Sequence, residues 1–252
     1  MYFDSHSHLD DQRFDEDREQ IFAKLPACQV EGLIDVGCDL DSSRRAIALA
    51  ERYPNVWAAV GSHPDDADHV DEELLRTYEA LAAHEKVVAI GEIGLDYHYE
   101  DVPREIQQRA FRMQMDLAQS LSLPVIIHQR EAQADALKIV KAFPEVTGVF
   151  HCFSGSVEMA RELVKRGWYI GFTGVVTFKN ARRAVEVARE IPLDRILIET
   201  DCPYMAPEPY RGRRNDSRLV PLVGKKIAEI RNLPEETVME ATTENVKRLF
   251  KL

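Results

Sequence analysis

The chain is organised around its N-terminal stretch, Tyr2-Phe3-Asp4-Ser5-His6-Ser7-His8-Leu9-Asp10. Side chains alternate between the two faces of an extended strand, so this spacing predicts Asp4, His6 and His8 on one face. Imidazoles two residues apart lie roughly 6–7 Å apart at the backbone, and their ring nitrogens can converge on one cation. A lone His-x-His is more often an ordinary pair of histidines. The metal-site interpretation therefore depends on the rest of the chain.

Eight short apolar runs recur along the sequence and alternate with amphipathic stretches of helical period. The runs cover residues 2–5, 32–36, 56–60, 87–90, 124–127, 148–150, 168–172 and 196–198. Alternating strands and helices over 252 residues are typical of a (β/α)8 TIM barrel. We predict one such domain spanning residues 1–252. A doubly wound open sheet is the competing fold.

Metal-ligand side chains follow five of these runs, the first, fourth, fifth, sixth and eighth. They are His6, His8, Glu92, His128, His151 and Asp201. The carboxyl ends of barrel strands meet at one mouth, where active sites of this fold lie. An open sheet would not gather these five strand ends at one point, so the ligand pattern favours the barrel. His63, after the third run, is predicted at the same mouth.

The number of ligands indicates two cations rather than one. A catalytic zinc typically takes three protein ligands and a water, whereas six ligands suit two cations about 3.5–4 Å apart. A shared carboxylate is then needed, and Glu92 is the predicted bridge. His6, His8 and Asp201 complete one site, and His128 and His151 the other. The residue types leave Zn, Mg and Mn open. Without metal, Glu92 and Asp201 are expected to repel, so Glu92→Gln is expected to leave the metal-free protein at least as heat-stable.

Several motifs together resemble the TatD family of metal-dependent deoxyribonucleases, over essentially the whole chain. They are His6-x-His8, Gly91-Glu92-Ile93-Gly94-Leu95-Asp96, His128-x-Arg130, His151-Cys152-Phe153-Ser154-Gly155, Glu199-Thr200-Asp201-x-Pro203-Tyr204 and Tyr210-Arg211-Gly212. The resemblance implies a 3′-to-5′ exonuclease acting on DNA, on single strands or 3′ ends, with divalent metals. Two positions depart from the family pattern. Asp65 stands where relatives often carry a histidine, and Ser217 stands where they often carry a proline.

The expected chemistry is hydrolysis of a phosphodiester by metal-activated water. Glu92 and Asp201 are the expected catalytic carboxylates, with Asp201 orienting or deprotonating the nucleophile. His63 is expected to contact the phosphate or to assist the leaving oxygen.

Arginines and tyrosines near the same strand ends are predicted to hold the substrate. Guanidinium groups match phosphate geometry, which favours Arg130 as a phosphate anchor, the alternative being a salt bridge to Glu131. Arg211 and Arg213 are expected to hold the next phosphate. Tyr204 and Tyr210 either stack on a base or pack in the core.

Three other functions stay open at this point. A related barrel enzyme would cleave amides or lactones, although many of those bridge their metals with a carboxylated lysine, and the nearest lysine here, Lys86, precedes the fourth strand. Hydrolysis of the ester bond in D-aminoacyl-tRNA is a second alternative. An inactive barrel used as a binding module is the third, but every predicted ligand is present.

The charge and the apolar content of the chain limit the kinds of molecule that we expect it to bind. The net charge of −11 argues against a broad non-specific nucleic-acid surface, although one basic patch exists at Arg211, Arg213, Arg214, Arg218, Lys225 and Lys226. No run approaches the ~18 apolar residues that span a bilayer. No basic leader precedes Tyr2, so we expect a cytoplasmic protein without an obligate protein partner.

Overall fold

The computed structural model describes residues 1–99 and 101–252, and its centre is one eight-stranded parallel sheet. The strands lie in chain order, each hydrogen-bonded to the next. They are β1 (Tyr2–Ser7), β2 (Val30–Val36), β3 (Val56–Val60), β4 (Val87–Asp96), β5 (Val125–Arg130), β6 (Gly148–Phe150), β7 (Tyr169–Phe172) and β8 (Ile196–Ile198).

Helices connect the strands. They are α1 (Arg18–Lys24), α2 (Leu40–Arg52), α3 (Glu72–Ala82), α4 (Arg104–Leu121), α5 (Gln133–Lys141), α6 (Val157–Lys165), α7 (Arg182–Glu190), α8 (Val220–Arg231) and α9 (Glu235–Phe250). A side chain caps the start of α2, α3 and α6: the Ser156 side chain, for example, accepts the Met159 N–H at the beginning of α6. Over the described residues, none of these helices combines the length and apolarity that crossing a bilayer requires.

The sheet closes on itself where the end of β1 meets the segment after β8. The Asp201 N–H donates to the His6 carbonyl at 2.9 Å, and the His8 N–H donates to the Cys202 carbonyl at 3.0 Å. These two bonds form the closing seam. The predicted (β/α)8 barrel is confirmed, while the extent of the domain, residues 1–252, stays a prediction.

The core has an inner and an outer layer. The inner cluster contains Phe3, Ile34, Ile126 and Leu197 from the strands, and the α9 residues Val246, Leu249 and Phe250 pack against it. The Asn245 side chain of α9 donates to the Ile196 carbonyl at 2.9 Å, at the start of β8. Helix α9 therefore covers the amino-terminal end of the barrel. The opposite mouth of the barrel is the one that is available for polar functional side chains.

Three ligand-bearing strands run further than their apolar runs predict. β1 continues to Ser7, β4 to Asp96 and β5 to Arg130, so His6, Glu92 and His128 stand in the barrel wall rather than in loops. The ladder between β4 and β5 pairs Gly94 with His128. A Cβ on Gly94, where φ is +145°, would lie 2.0 Å from the His128 carbonyl oxygen. Glycine therefore permits this close pairing.

Candidate metal centre

The side chain of Glu92 lies at the centre of the mouth and is 3% exposed. Its Oε2 atom is 3.3 Å from the Nε2 of His6 and 3.7 Å from the Nε2 of His8. Its Oε1 atom is 2.8 Å from the Nδ1 of His128 and 2.7 Å from the Nε2 of His151. Each oxygen of the Glu92 carboxylate thus faces a different pair of imidazoles.

Asp201 joins the His6–His8 side of the cluster. Its Oδ1 is 3.5 Å from the Nε2 of His8 and 3.8 Å from the Nε2 of His6. The closing seam holds its backbone, and its φ of 54° lies in the left-handed region, which is uncommon for a residue other than glycine. The grouping is the one that the sequence predicts: His6, His8 and Asp201 on one side, His128 and His151 on the other.

The donor set fits divalent cations. The facing ring nitrogens are 3.0 Å apart in the His6–His8 pair and 3.2 Å apart in the His128–His151 pair. Two nitrogens on one tetrahedral zinc at ~2.0–2.1 Å lie about 3.3 Å apart, so both pairs have the spacing of shared ligands. Within residues 1–99 and 101–252, no lysine or arginine forms an ion pair with Glu92 or Asp201. No ammonium or guanidinium group of the described residues therefore competes with a cation for these two carboxylates.

The carboxylates of the cluster are held in their charged form. Burial raises the pKa of Glu92, but the charge of His151 and hydrogen bonds from His128 and His151 outweigh it, so the pKa lies well below its ordinary value. Burial also raises the pKa of Asp201, and the contact with His8 leaves it below the ordinary range. Both side chains are thus available as anionic ligands.

The pKa values of two histidines of the cluster shift in opposite directions. Burial and the neighbouring charge of His151 lower the pKa of His6 to about 4. Burial lowers the pKa of His128, but hydrogen bonds to Asp96 and Glu92 outweigh it and raise the pKa to about 9. His6 is therefore a neutral, ready ligand, whereas a metal must displace a proton from His128.

Comparison with known protein families gives a match over residues 3–251 to the family described as TatD related DNase. The chain belongs to the TatD family. It is therefore a metal-dependent hydrolase of the class that acts on ester bonds, as the sequence predicts.

Individual TatD relatives cover the whole chain. A Bacillus subtilis protein named uncharacterized metal-dependent hydrolase YabD is 46% identical over 254 residues, which is 100% of both chains. A Cronobacter sakazakii protein named 3′-5′ ssDNA/RNA exonuclease TatD is 38% identical over 259 residues, covering 98% of this chain and 97% of its own. The crystal structure of YJJV, a TatD homologue from Escherichia coli, superposes with a TM-score of 0.94 at 30% identity, covering 100% and 98% of the two chains.

His63 lies beside the predicted metal ligands of this TatD chain. Its Nε2 is 3.9 Å from the Oε1 of Glu92, and its ring packs edge-on against His128 with centroids 4.4 Å apart. Its Nδ1 accepts the Asp65 N–H at 3.2 Å. The Asp65 Oδ2 lies 3.3 Å from the same Nδ1, so Asp65 faces this edge of the ring and Nε2 faces the cluster. The departure at Asp65 thus touches a predicted catalytic residue.

The second departure has a local explanation. Ser217 is buried in the first position of a 3-10 turn, Ser217–Leu219, and the Asp216 side chain caps this turn by accepting the Arg218 N–H at 3.1 Å. Proline is favoured at the first position of a helical turn because its missing N–H is not needed there. Serine and proline therefore fit the same backbone.

Arg130 ends β5 beside the cluster. Its guanidinium lies 5.2 Å from the centre of the Tyr99 ring. The alternative partner, Glu131, instead accepts from the Nδ1 of His98 at 2.8 Å. In the described parts of the chain, no carboxylate pairs with Arg130. Its role as a phosphate anchor stays a prediction.

The predicted basic patch is partly neutralised. Arg214 pairs with Asp17, Arg218 pairs with Asp216 at 2.7 Å, and Lys226 pairs with Glu229 at 3.1 Å. Arg211 and Arg213 form no ion pair with a described residue, and both are exposed. Lys225 is also exposed and forms no ion pair with a described residue. The cationic surface that is left therefore comprises Lys225 and the two arginines predicted to hold phosphate, and that role stays a prediction.

Core packing is excluded for both tyrosines. Tyr204 is 51% exposed and Tyr210 is 39% exposed. The Arg13 guanidinium lies 4.6 Å from the centre of the Tyr204 ring and donates to its hydroxyl at 2.7 Å. Base stacking by these two rings stays a prediction.

Asp96 is a buried carboxylate that is absent from the predicted site and yet contacts one of the predicted ligands. Asp96 Oδ2 is 3.0 Å from the Nε2 of His128, on the side of the ring opposite Glu92. Such a partner fixes the rotation and tautomer of a ligating imidazole. Its position four residues after Glu92 in an extended strand was the available signal, because this spacing returns to the same face of the sheet.

Three further buried carboxylates hold the backbone next to the ligands. Asp35 accepts the Leu9 N–H at 2.6 Å, just after His8. Glu199 accepts the Cys152 N–H at 2.5 Å, just after His151. Asp4 accepts the Thr200 N–H at 2.8 Å, just before Asp201. The Asp4 carboxylate also accepts the Thr200 hydroxyl at 2.6 Å, and its position on the same strand face as His6 and His8 stays a prediction.

We expect Asp96→Asn to weaken metal binding without unfolding the chain. Loss of an outer carboxylate typically costs 10–100-fold in metal affinity, so we expect about that loss at the site that includes His128. Competition against a chelator measures the affinity. Asp116→Asn, at an exposed position of α4, is the control. An affinity equal to that of the wild type would show that His128 does not depend on Asp96.

Proposed function

We propose that this chain is a 3′-to-5′ exodeoxyribonuclease that binds two divalent cations, with DNA 3′ ends or single-stranded DNA as substrate. The observation that carries the two-cation scheme concerns the Glu92 carboxylate, because its two oxygens face separate groups of predicted ligands. We place one cation among His6, His8, Asp201 and Glu92, and the other among His128, His151 and Glu92. The four imidazoles suit zinc, while the carboxylates also suit Mg and Mn.

The substrate class comes from a relative and from the local charge. The Cronobacter protein carries the name of an exonuclease on single-stranded DNA and RNA. A net charge of −11 disfavours a broad phosphate-binding surface, so we propose that the cations, Arg130, Arg211 and Arg213 hold the phosphates locally. Cytoplasmic residence and independence from a protein partner stay predictions.

In this proposal, Asp201 and Glu92 have different roles at the reacting phosphate. When bound, the cations lower the pKa of the attacking water and stabilise charge on the phosphoryl oxygens. The carboxylate of Asp201 orients that water and accepts its proton. Glu92 neutralises charge at the centre of the site because both of its oxygens are engaged. The backbone contacts of Asp35, Glu199 and Asp4 keep the ligand segments in register.

His63 is proposed to act on the leaving group. Its Nδ1 faces the backbone and the side chain of Asp65, so Nε2 is the ring nitrogen that is available to a substrate at the mouth. A proton donated from this nitrogen would neutralise the leaving 3′ oxygen, and a hydrogen bond from it would hold a phosphoryl oxygen.

The proposal is tested with oligonucleotides labelled at the 5′ end. We expect a ladder of products shortened one nucleotide at a time from the 3′ end, abolished by EDTA and restored by Zn, Mn or Mg. RNA, D-aminoacyl-tRNA and a panel of amides and lactones are tested in parallel. Faster turnover of any of these than of DNA would replace the proposal with that activity. No turnover by the metal-loaded protein would favour a binding module.

We expect Arg130→Ala to weaken DNA binding with little effect on folding. Each phosphate contact to a single strand contributes about −0.7 to the slope of log K against log[salt]. The variant should therefore bind single-stranded DNA about 10-fold less tightly at low salt, and the slope should fall in magnitude by ~0.7. Fluorescence anisotropy at several salt concentrations measures both quantities.

Arg166→Ala is the matched control. Arg166 is exposed at the carboxyl end of α6, away from the mouth, and pairs with Glu162. Its removal should leave affinity and slope unchanged. An Arg130→Ala protein with the salt slope of the wild type would remove Arg130 from the phosphate contacts.

A further inference from the structure

Asn215 lies fully buried in the loop between β8 and α8, next to the segment that carries Asp201. Its side-chain nitrogen, Nδ2, donates to the Thr200 carbonyl at 2.8 Å and to the Tyr204 carbonyl at 2.7 Å. The Asn215 backbone N–H also donates to the Pro203 carbonyl at 3.1 Å. One residue thus holds the backbone on both sides of Asp201.

The orientation of this amide follows from its surroundings. The Oδ1 of Asn215 accepts the Asp216 N–H at 3.0 Å, whereas Nδ2 faces the two carbonyl oxygens. The reverse orientation would place an oxygen against both carbonyls and an NH2 group against a backbone N–H. Because the NH2 group has two hydrogens, each carbonyl receives one of them.

The backbone of Asp201 needs such support. Its φ of 54° lies in the left-handed region, and a residue other than glycine keeps this conformation only where its surroundings hold it. The Asp201 N–H donates to His6 in the closing seam, and the Asp201 carbonyl accepts the Tyr204 N–H at 2.9 Å. The two bonds from the Asn215 side chain hold the ends of this turn. They therefore help to set the direction of the Asp201 side chain.

The arginines just before Asn215 are held by different contacts. Arg214 pairs with Asp17, and the guanidinium of Arg211 lies 4.2 Å from the centre of the Phe178 ring. Neither contact involves the Asn215 side chain. We therefore expect the arginine-bearing part of this loop to keep its place when that side chain is removed.

We propose that Asn215 is a positioning residue for Asp201. By holding the carbonyls on both sides of this ligand, it sets the Asp201 carboxylate for the cation on the His6–His8 side and for the attacking water. The inference deepens the proposed hydrolysis and rests on the role assigned there to Asp201. Residues that orient a metal ligand typically contribute about 10–100-fold to metal affinity or activity.

The first test measures metal binding, so its result does not depend on nuclease activity. Asn215→Ala removes both donated bonds and leaves every predicted metal ligand in place. We expect competition against a chelator to show one of the two zinc sites weakened by about 10–100-fold, with the other at its wild-type affinity. Wild-type affinity at both sites would overturn the proposal.

Asn245→Ala is the matched control. Asn245 is 1% exposed, and its side-chain nitrogen donates to the Leu193 and Ile196 carbonyls, each at 2.9 Å. The two variants thus lose the same pair of bonds from a buried amide, one at each end of β8. We expect a similar fall in Tm, because each leaves two carbonyls without their donor, and a loss of zinc affinity in Asn215→Ala alone. An equal loss of zinc affinity in the control would overturn the proposal, since lower stability would then explain both.

Asn215→Ser is the second variant if Asn215→Ala does not fold. A serine hydroxyl has one hydrogen, so it donates at most one of the two bonds. We expect the same zinc site to be weakened, and Asn245→Ser is the control. Zinc affinities equal to those of the wild type at both sites would again overturn the proposal.

The second test separates turnover from substrate binding. With single-stranded DNA, we expect Asn215→Ala to lower kcat by about 10–100-fold and to leave KM near that of the wild type, because the arginine-bearing loop keeps its place. An unchanged kcat, or a rise in KM in place of the fall in kcat, would overturn the assignment of Asn215 and leave the nuclease activity standing. A weakened zinc site in Asn215→Ala, together with a wild type that does not cleave DNA, would overturn the nuclease activity and leave the positioning of Asp201 standing.

Discussion

Glu92→Gln is expected to reduce DNA hydrolysis by at least ~10³-fold and to lower the metal content from two cations per chain to less than one. The amide keeps the shape of the side chain and removes the charge that both ligand groups share. Because Oε1 and Oε2 face different imidazole pairs, losing this carboxylate weakens both sites together. Elemental analysis after dialysis, beside a nuclease assay, measures the effect.

The structure reverses the expected stability of this variant without metal. Besides the repulsion between Glu92 and Asp201, the folded site contains four imidazoles within 3.7 Å of the Glu92 carboxylate. The carboxylate accepts hydrogen bonds from buried rings, among them His128, whose pKa is raised to about 9. We now expect metal-free Glu92→Gln to be about 1–2 kcal/mol less stable than the metal-free wild type, or roughly 2–8 °C lower in Tm.

The metal content of the variant therefore shows whether Glu92 binds metal or has only a structural role, and it shows this better than the melting temperature does. Saturating metal should raise the Tm of the wild type by a clear margin and that of Glu92→Gln by much less, because stabilisation by a ligand follows its affinity. Glu105→Gln, at an exposed position of α4, controls for the loss of one negative charge. A Glu92→Gln protein that retains two cations would disprove the bridging scheme.

Asp201→Asn is expected to reduce turnover by ~10²–10³-fold while leaving about one cation bound. Asp201 contacts only the His6–His8 side of the cluster. The group formed by His128, His151 and the Oε1 of Glu92 stays complete. The loss in turnover should exceed the loss in DNA affinity, because Asp201 is proposed to act on the nucleophile rather than to anchor phosphate.

Asp194→Asn is the comparison for this variant. Asp194 is exposed just before β8, so its charge lies on the same part of the chain at the opposite end of the strand. It should retain full activity and both cations. An Asp201→Asn protein that loses both cations, or one that retains wild-type turnover, would contradict the assigned division of ligands.

The sequence predicts the number and order of the strands because buried parallel strands are apolar runs bounded by polar residues. The same criterion fails at their carboxyl ends. Glu92, His128 and Arg130 are polar and yet belong to strands, because the ladder pairs Gly94 with His128 and Asp96 with Arg130. In this mouth, polar side chains are buried against one another, so hydropathy alone ends β1, β4 and β5 too early.

The grouping of the six ligands is predictable because barrel topology brings strand ends together. The supporting contacts are not. Thr200 is bound by Asp4, 196 residues away, and Cys152 is bound by Glu199, 47 residues away. Hydrophobic periodicity holds no information on such pairings, since each depends on the position of a particular side chain in the folded barrel.

Closure of the barrel at the seam also brings together His6, His8 and Asp201. The bonds between Asp201 and His6 and between His8 and Cys202 join residues about 195 positions apart. A nascent chain that lacks β8 can form neither these bonds nor the His6–His8–Asp201 group, whatever the state of its earlier strands. Such distant pairing carries a large loop-closure entropy and slows folding. The His6–His8–Asp201 group is therefore incomplete until β8 and the residues just after it have been synthesised and pair with β1.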